Sequence, residues 1–305
     1  MLLLSLCVDR VALSVVVSVA LAILSVIASA CQVPVPTIPI SAMFAAIEAA
    51  GPAQVQVSLG DHEAVKRWWQ HAETLPEYTS HPGRGDVPLL LYFGGANIYS
   101  EQEYLIFKWS SIVTSLSDVF DEPFLILAVE GARVAEKSAC HQEVGRYMSW
   151  QANVLLTRKW PTVGYDKEEF PSGSLYFKRR GQDLGQMLGA VVGWQGDAKA
   201  RREVHVLSQH YGAMLCCDQC RAQLVKPNAD PTMRYTNLSP HAPHAKTQIS
   251  NAEYLATTPV VSTYFGIAGF RKEHVFWDWA HNVFLGVCKH LLPSIVICWA
   301  EECGS

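Results

Sequence analysis

An apolar run, MLGAVVGWQGD, ends on Asp197 and passes directly into a polar run, KARREVHVLSQHYG. The first has the pattern of a strand and the second that of a helix from Ala198 to about His210. A chain built this way must place one carboxylate at a strand end, where it is either a metal ligand or a helix cap. Spacing alone favours the cap.

Upstream, three segments have strand character: VPLLLYFGG from residue 87, then EYLIFKWSSIV, then EPFLILAVEG, each bounded by Gly, Pro, Asp or Glu. Their succession predicts an antiparallel meander. A helix follows over His141 to Lys159, with Val144, Met148, Val154 and Leu155 near helical spacing. Before the strands, Asp61 to His71 predicts a short helix with Asp61 as N-cap and Trp68-Trp69 as packing anchors. Residues 224 to 250 form a polar loop carrying Pro227, Pro231, Pro240 and Pro243. The last segment, FRKEHVFWDWAHNVFLGVCKHLLPSIVICWAEE, has an amphipathic helical pattern interrupted by Pro293. Strand, strand, strand, helix, strand, helix is the order of an RNase H-like domain. The expected class is therefore α/β: a mixed sheet with flanking helices, a Cys/His-containing insertion, and an apolar helix at the N-terminus. The expected divisions are 1–31 (apolar segment), 32–60 (linker), 61–215 (core) and 216–305 (Cys/His region).

The charged fraction, 17%, is below the roughly 25% usual in soluble proteins, and the N-terminus accounts for much of the deficit. Residues 11–30 carry no charge and are long enough to cross the roughly 30 Å core of a bilayer. They predict a signal-anchor that places the protein in the membrane or secretory pathway. Ala28-Ser29-Ala30 before Cys31 also fits a cleaved signal. A wrongly joined first exon is the third reading, and it returns the protein to the nucleus. The following QVPVPTIPIS suits an extended linker. A net charge of −4 provides no global basic field, which argues against strong autonomous nucleic-acid binding. The basic clusters Lys178-Arg179-Arg180 and Lys199 with Arg201-Arg202 are expected as solvated faces.

Nine cysteines are too irregularly spaced for a small disulfide scaffold. Cys7, Cys140, Cys288 and Cys298 are expected to pack as apolar residues. Cys217 and Cys220 can supply half of a tetrahedral zinc site, with His241, His244 or His281 completing it, and packed thiols are the alternative. Asp278 and His281 are one helical turn apart and would share a face. His141-Gln142-Glu143 with the CxxC also resembles a zinc deaminase signature. Cys216 stands where that signature has Pro, however, and more than seventy residues separate the halves, so the match is chance.

Three segments resemble transposase-like proteins of the CACTA-type and related families: VPLLLYFGGANIY with KWSSIV, GWQGDAKARREVHVLSQHYGAMLCCDQCRA, and FRKEHVFWDWAHNVFLGVCKHLLPSIV. The resemblance covers roughly residues 60 to 300. It implies an RNase H-like core acting on DNA, with carboxylates holding Mg²⁺ and an insertion carrying CxxC and C/DxxH elements. Asp197 matches the second acidic position, and Cys217, Cys220, Asp278 and His281 match the insertion. At the first acidic position, in the turn Phe93-Gly94-Gly95-Ala96, stands Gly94. Asp86 sits at the other end of that strand and is a poor substitute. The family's last acidic residue lies on a helix beyond the DxxH, where this chain has Glu301 and Glu302 and that helix is expected to be absent. The resemblance thus implies a degenerate copy without DNA cleavage, needing Mg²⁺ only if it were catalytic. Two alternatives stay open: a membrane-tethered binding or structural protein that retains the fold, and a zinc-stabilised interaction module.

Overall fold

The computed structural model describes residues 62–97, 103–113, 124–131, 136–185, 189–207, 213–237, 239, 241–278 and 289–303. The apolar segment 11–30, the proline-containing linker, Cys7, Cys288 and His281 lie outside them. Among the described residues no helix is long and apolar enough to cross a membrane.

Three strands, β1 (Val87–Asn97), β2 (Glu103–Ser111) and β3 (Phe124–Glu130), form the expected antiparallel meander. A helix, α2 (Lys137–Thr157), follows, and α1 (Glu63–Ala72) precedes the meander. A short α3 (Leu175–Arg179), β4 (Gly189–Gly196), α4 (Ala198–His205), α5 (Asn251–Thr257), β5 (Val275–Trp277) and α6 (Lys289–Cys303) complete the elements. The five strands make one mixed sheet in the order β3-β2-β1-β4-β5. The described residues up to Trp194 together with Pro259–His274 form one compact unit, and the described residues of Gln195–Thr258 together with those from Val275 onward form a second.

In the first unit β1 is interior to the sheet. Its Val87, Leu89, Leu90, Leu91 and Phe93 are buried almost without alternation, as a strand covered on both faces requires. β2 alternates, with Leu105, Phe107 and Trp109 inward. Helix α2 turns Cys140, Val144, Met148, Ala152 and Leu155 into the core. Its opposite stripe is polar and holds residues 263–268 along its length. Gln142 accepts from the Thr263 amide at 2.9 Å, Ser149 donates to the Thr263 carbonyl at 2.6 Å, and Asn153 donates to Gly266 and accepts from Ala268. Gly145 is where this strap comes closest: a Cβ there would overlap Thr263 Oγ1 and lie 2.8 Å from the Tyr264 ring.

Several details depart from the sequence reading. Asp61 lies outside the described residues, and the N-cap of α1 is His62, whose ring accepts from the Ala64 amide at 3.2 Å. Helix α4 stops at His205, where Val206 takes a left-handed conformation (φ 54°). The long C-terminal helical pattern is broken early: Lys272–His274 is a 3-10 turn and Val275–Trp277 is β5. Asp278, at the end of β5, donates its amide to the Gly196 carbonyl at 3.3 Å. It is therefore not helical, and His281, with which it was expected to share a face, lies outside the described residues. Pro293 lies inside α6 without interrupting it. That helix falls within the stretch whose helical pattern predicted one, and its last turns include Glu301 and Glu302. Cys140 is buried as expected, but Cys298 is exposed rather than packed.

Candidate functional site

Asp197 immediately follows β4 and is the N-cap of α4. Its backbone is extended (φ −67°, ψ 174°), and its carboxylate accepts from the Ala200 amide at 2.7 Å. This satisfies one of the amides left without a partner at a helix start. In the sheet order β4 neighbours β1. Gly94, on β1 opposite Ile106 of β2, faces open space, so that a Cβ added there meets nothing within 4 Å. The position has room for a side chain and supplies none.

Asp86 lies just before β1 and has another task. It is buried, and Arg158 donates to its Oδ1 at 3.0 Å while Trp69 donates its indole N–H to its carbonyl at 2.7 Å. Burial pushes its carboxyl up to about 6, with Arg158 pulling the other way. A carboxylate held like this is a structural anchor for the turn into β1.

In the second unit the CxxC forms a tight turn. The Gln219 amide donates to Cys217 Sγ at 3.4 Å. Burial raises the Cys217 and Cys216 thiols above their ordinary range. Cys216 contacts the Ala222 carbonyl at 3.5 Å. Of the expected histidine partners, His241 is exposed and His281 is outside the described residues. His244 is half-buried, with Nδ1 4.0 Å from Cys220 Sγ and Nε2 3.0 Å from the Asn237 carbonyl. Among the described residues no three His, Cys, Asp or Glu side chains already surround one metal position.

Beside the CxxC lies a cluster that the sequence reading missed. Arg201 was expected on a solvated face but is 1% exposed. It pairs with buried Asp218 at 2.5 Å, approaches the Val275 carbonyl at 3.4 Å, and stacks 3.7 Å from the Trp277 ring centre. Burial lowers the guanidinium below its ordinary range while Asp218 opposes that shift. The arrangement links α4, the CxxC turn and β5 of this unit. The other basic cluster is exposed as expected, with Arg179 over Trp160 at 5.4 Å and Arg180 over Phe177 at 4.1 Å.

His141, the first residue of the deaminase-like triplet, is fully buried edge-on to Phe93 at 4.8 Å. Burial, with the Lys137 charge adding, lowers it to about 4. Gln142 belongs to the strap, and Glu143 pairs with Arg146. The triplet serves packing. No family model matches the chain, and no curated protein or solved structure is similar to it.

Proposed function

We propose that the chain is a transposable-element-derived, transposase-like protein with an RNase H-like core that does not cleave DNA. Two-metal strand cleavage needs carboxylates converging on a pair of divalent ions, one at the attacking oxygen and one at the leaving oxygen. In an RNase H-like core the first ligand comes from the first strand and the second from the end of the fourth, so these strands must be neighbours. The order β3-β2-β1-β4-β5 supports that reading.

Two separate observations support the loss of activity. The β1 position is an open glycine, and the carboxylate after β4 caps α4. A single carboxylate already accepting a helix amide leaves a hard divalent ion short of anionic oxygen donors. DNA as a partner rests on the family resemblance, and the net charge of −4 gives it no general electrostatic support.

The test is nicking of supercoiled DNA by the full chain with Mg²⁺ or Mn²⁺. No metal-dependent nicking is expected. Nicking that disappears in Asp197→Ala would overturn the proposal.

A further inference from the structure

We propose that Cys217, Cys220 and His244 form a binding site for a thiophilic divalent cation of the zinc class, and that the cation itself draws the site closed. This stands apart from the question of DNA cleavage, because it concerns soft donors rather than carboxylates.

The tautomer of His244 is the first argument. Its Nε2 is 3.0 Å from the Asn237 carbonyl oxygen, and a carbonyl only accepts, so Nε2 carries the proton. In the neutral ring Nδ1 then carries the lone pair, and it lies 4.0 Å from Cys220 Sγ. A ring that donates one N–H to a backbone carbonyl and presents the other nitrogen unprotonated is oriented as metal-binding histidines are. Tetrahedral zinc, with bonds of about 2.3 Å to sulfur and about 2.0 Å to nitrogen, sets the two donors about 3.6 Å apart. The observed separation needs to close by only a few tenths of an ångström.

The turn itself is the second argument. The Gln219 amide donates to Cys217 Sγ at 3.4 Å and so fixes the turn that carries both cysteines. Among the described residues no group of three such donors is placed to hold an ion, so binding requires the Cys217 thiol to turn toward the Cys220–His244 pair.

The third argument is that the two halves are already fastened together. The Ile249 amide donates to the Gln219 carbonyl at 2.9 Å, and the Arg221 amide to Thr247 Oγ1 at 3.1 Å. Thr247 Oγ1 in turn donates to the His244 carbonyl at 2.7 Å. The histidine-bearing turn, Pro243–Lys246, is thereby held against the CxxC. His241 is exposed and is left out of the site. On binding, the two thiols release their protons to solvent, His244 binds neutral, and water fills the fourth position.

The experiment is a titration of the full chain, reduced and stripped of metal by chelator, with Co²⁺ alone, followed by displacement with Zn²⁺. One equivalent should give a thiolate-to-cobalt charge-transfer band together with the visible absorption of tetrahedral cobalt, both lost on adding Zn²⁺. Cys217→Ser and Cys220→Ser should each lose the charge-transfer intensity of one thiolate. His244→Ala should lose the tetrahedral spectrum, and His241→Ala should keep it. Far-ultraviolet circular dichroism of each metal-free variant separates loss of a ligand from loss of the fold. Absence of the charge-transfer band in the wild-type chain would overturn the site. So would an unchanged spectrum and affinity in a folded His244→Ala variant.

Discussion

Lowering the pH from about 7.5 to about 5.5 should remove about 2 kcal/mol from the stability of the unit built on β1–β3 and α2. Two of its histidines are fully buried: His141 against Phe93, and His274 stacked on Tyr78 with ring centres 4.5 Å apart. Burial lowers His141 from 6.5 to about 4, helped by Lys137, and lowers His274 to about 3, helped by His81 and Arg271. Across the window both stay neutral in the folded chain, while the unfolded chain takes up a proton at each as the pH falls through 6.5. Their folded values are depressed, so the associated stability is present above 6.5 and lost below it. One pH unit below that point costs about 1.4 kcal/mol for each, or about 2.8 kcal/mol together. Asp86 opposes them. Its folded value is raised to about 6, so protonation near the end of the window returns about 0.8 kcal/mol. His81 is also lowered by burial and adds to the loss.

Urea unfolding followed by tryptophan fluorescence measures this directly, because Trp69, Trp109 and Trp160 are buried in the same unit. The midpoint should fall while the slope m stays constant. In His141→Leu, which keeps an apolar contact with Phe93, about 1.4 kcal/mol of the loss should disappear. Stability that is flat or rising over the window would refute the reasoning, as would an unchanged pH dependence in that variant.

Two substitutions test the packing. Gly145→Ala ought to gain roughly 0.5–1 kcal/mol from helix propensity, but the added methyl would meet Thr263 and Tyr264. A net loss of about 1–3 kcal/mol and a lower Tm are expected; a higher Tm would show that the strap yields freely. In the second unit, Asp218→Asn leaves Arg201 buried without its counter-charge, and a loss of about 3–5 kcal/mol is expected in urea unfolding. The double variant Arg201→Met with Asp218→Leu should recover much of that loss, and failure to recover would point to a role beyond the ion pair.

What the sequence made legible were the elements with strong local signals. The three strands of the meander, the α2 helix and the β4–α4 junction all lie within a few residues of where apolar runs and punctuation placed them. Asp197 is the cap that spacing alone favoured. β5 was hidden because it is only three residues long and sits inside a segment with helical periodicity. A short apolar run carries no period of its own, and a hydrogen bond from the Asp278 amide to the Gly196 carbonyl marks its end. The burial of Arg201 depends on Asp218 and Trp277, which are distant in sequence. His244 and His241 are indistinguishable as letters three residues apart. The carbonyl of Asn237 separates them, and backbone atoms leave no mark in a sequence. The strap along α2 was likewise unreadable, because Gln142, Ser149 and Asn153 have the composition of an ordinary solvent-facing stripe.

The most direct test of the central claim is Mn²⁺ binding to the full chain, measured for the wild type and for Asp197→Asn. Asparagine caps a helix about as well as aspartate, so the variant removes the charge of the carboxylate while leaving α4 capped. If Asp197 acts only as a cap, the two proteins bind Mn²⁺ identically. A site present in the wild type and missing from the variant would show that Asp197 is a working metal ligand, contradicting the loss of cleavage chemistry proposed for this chain.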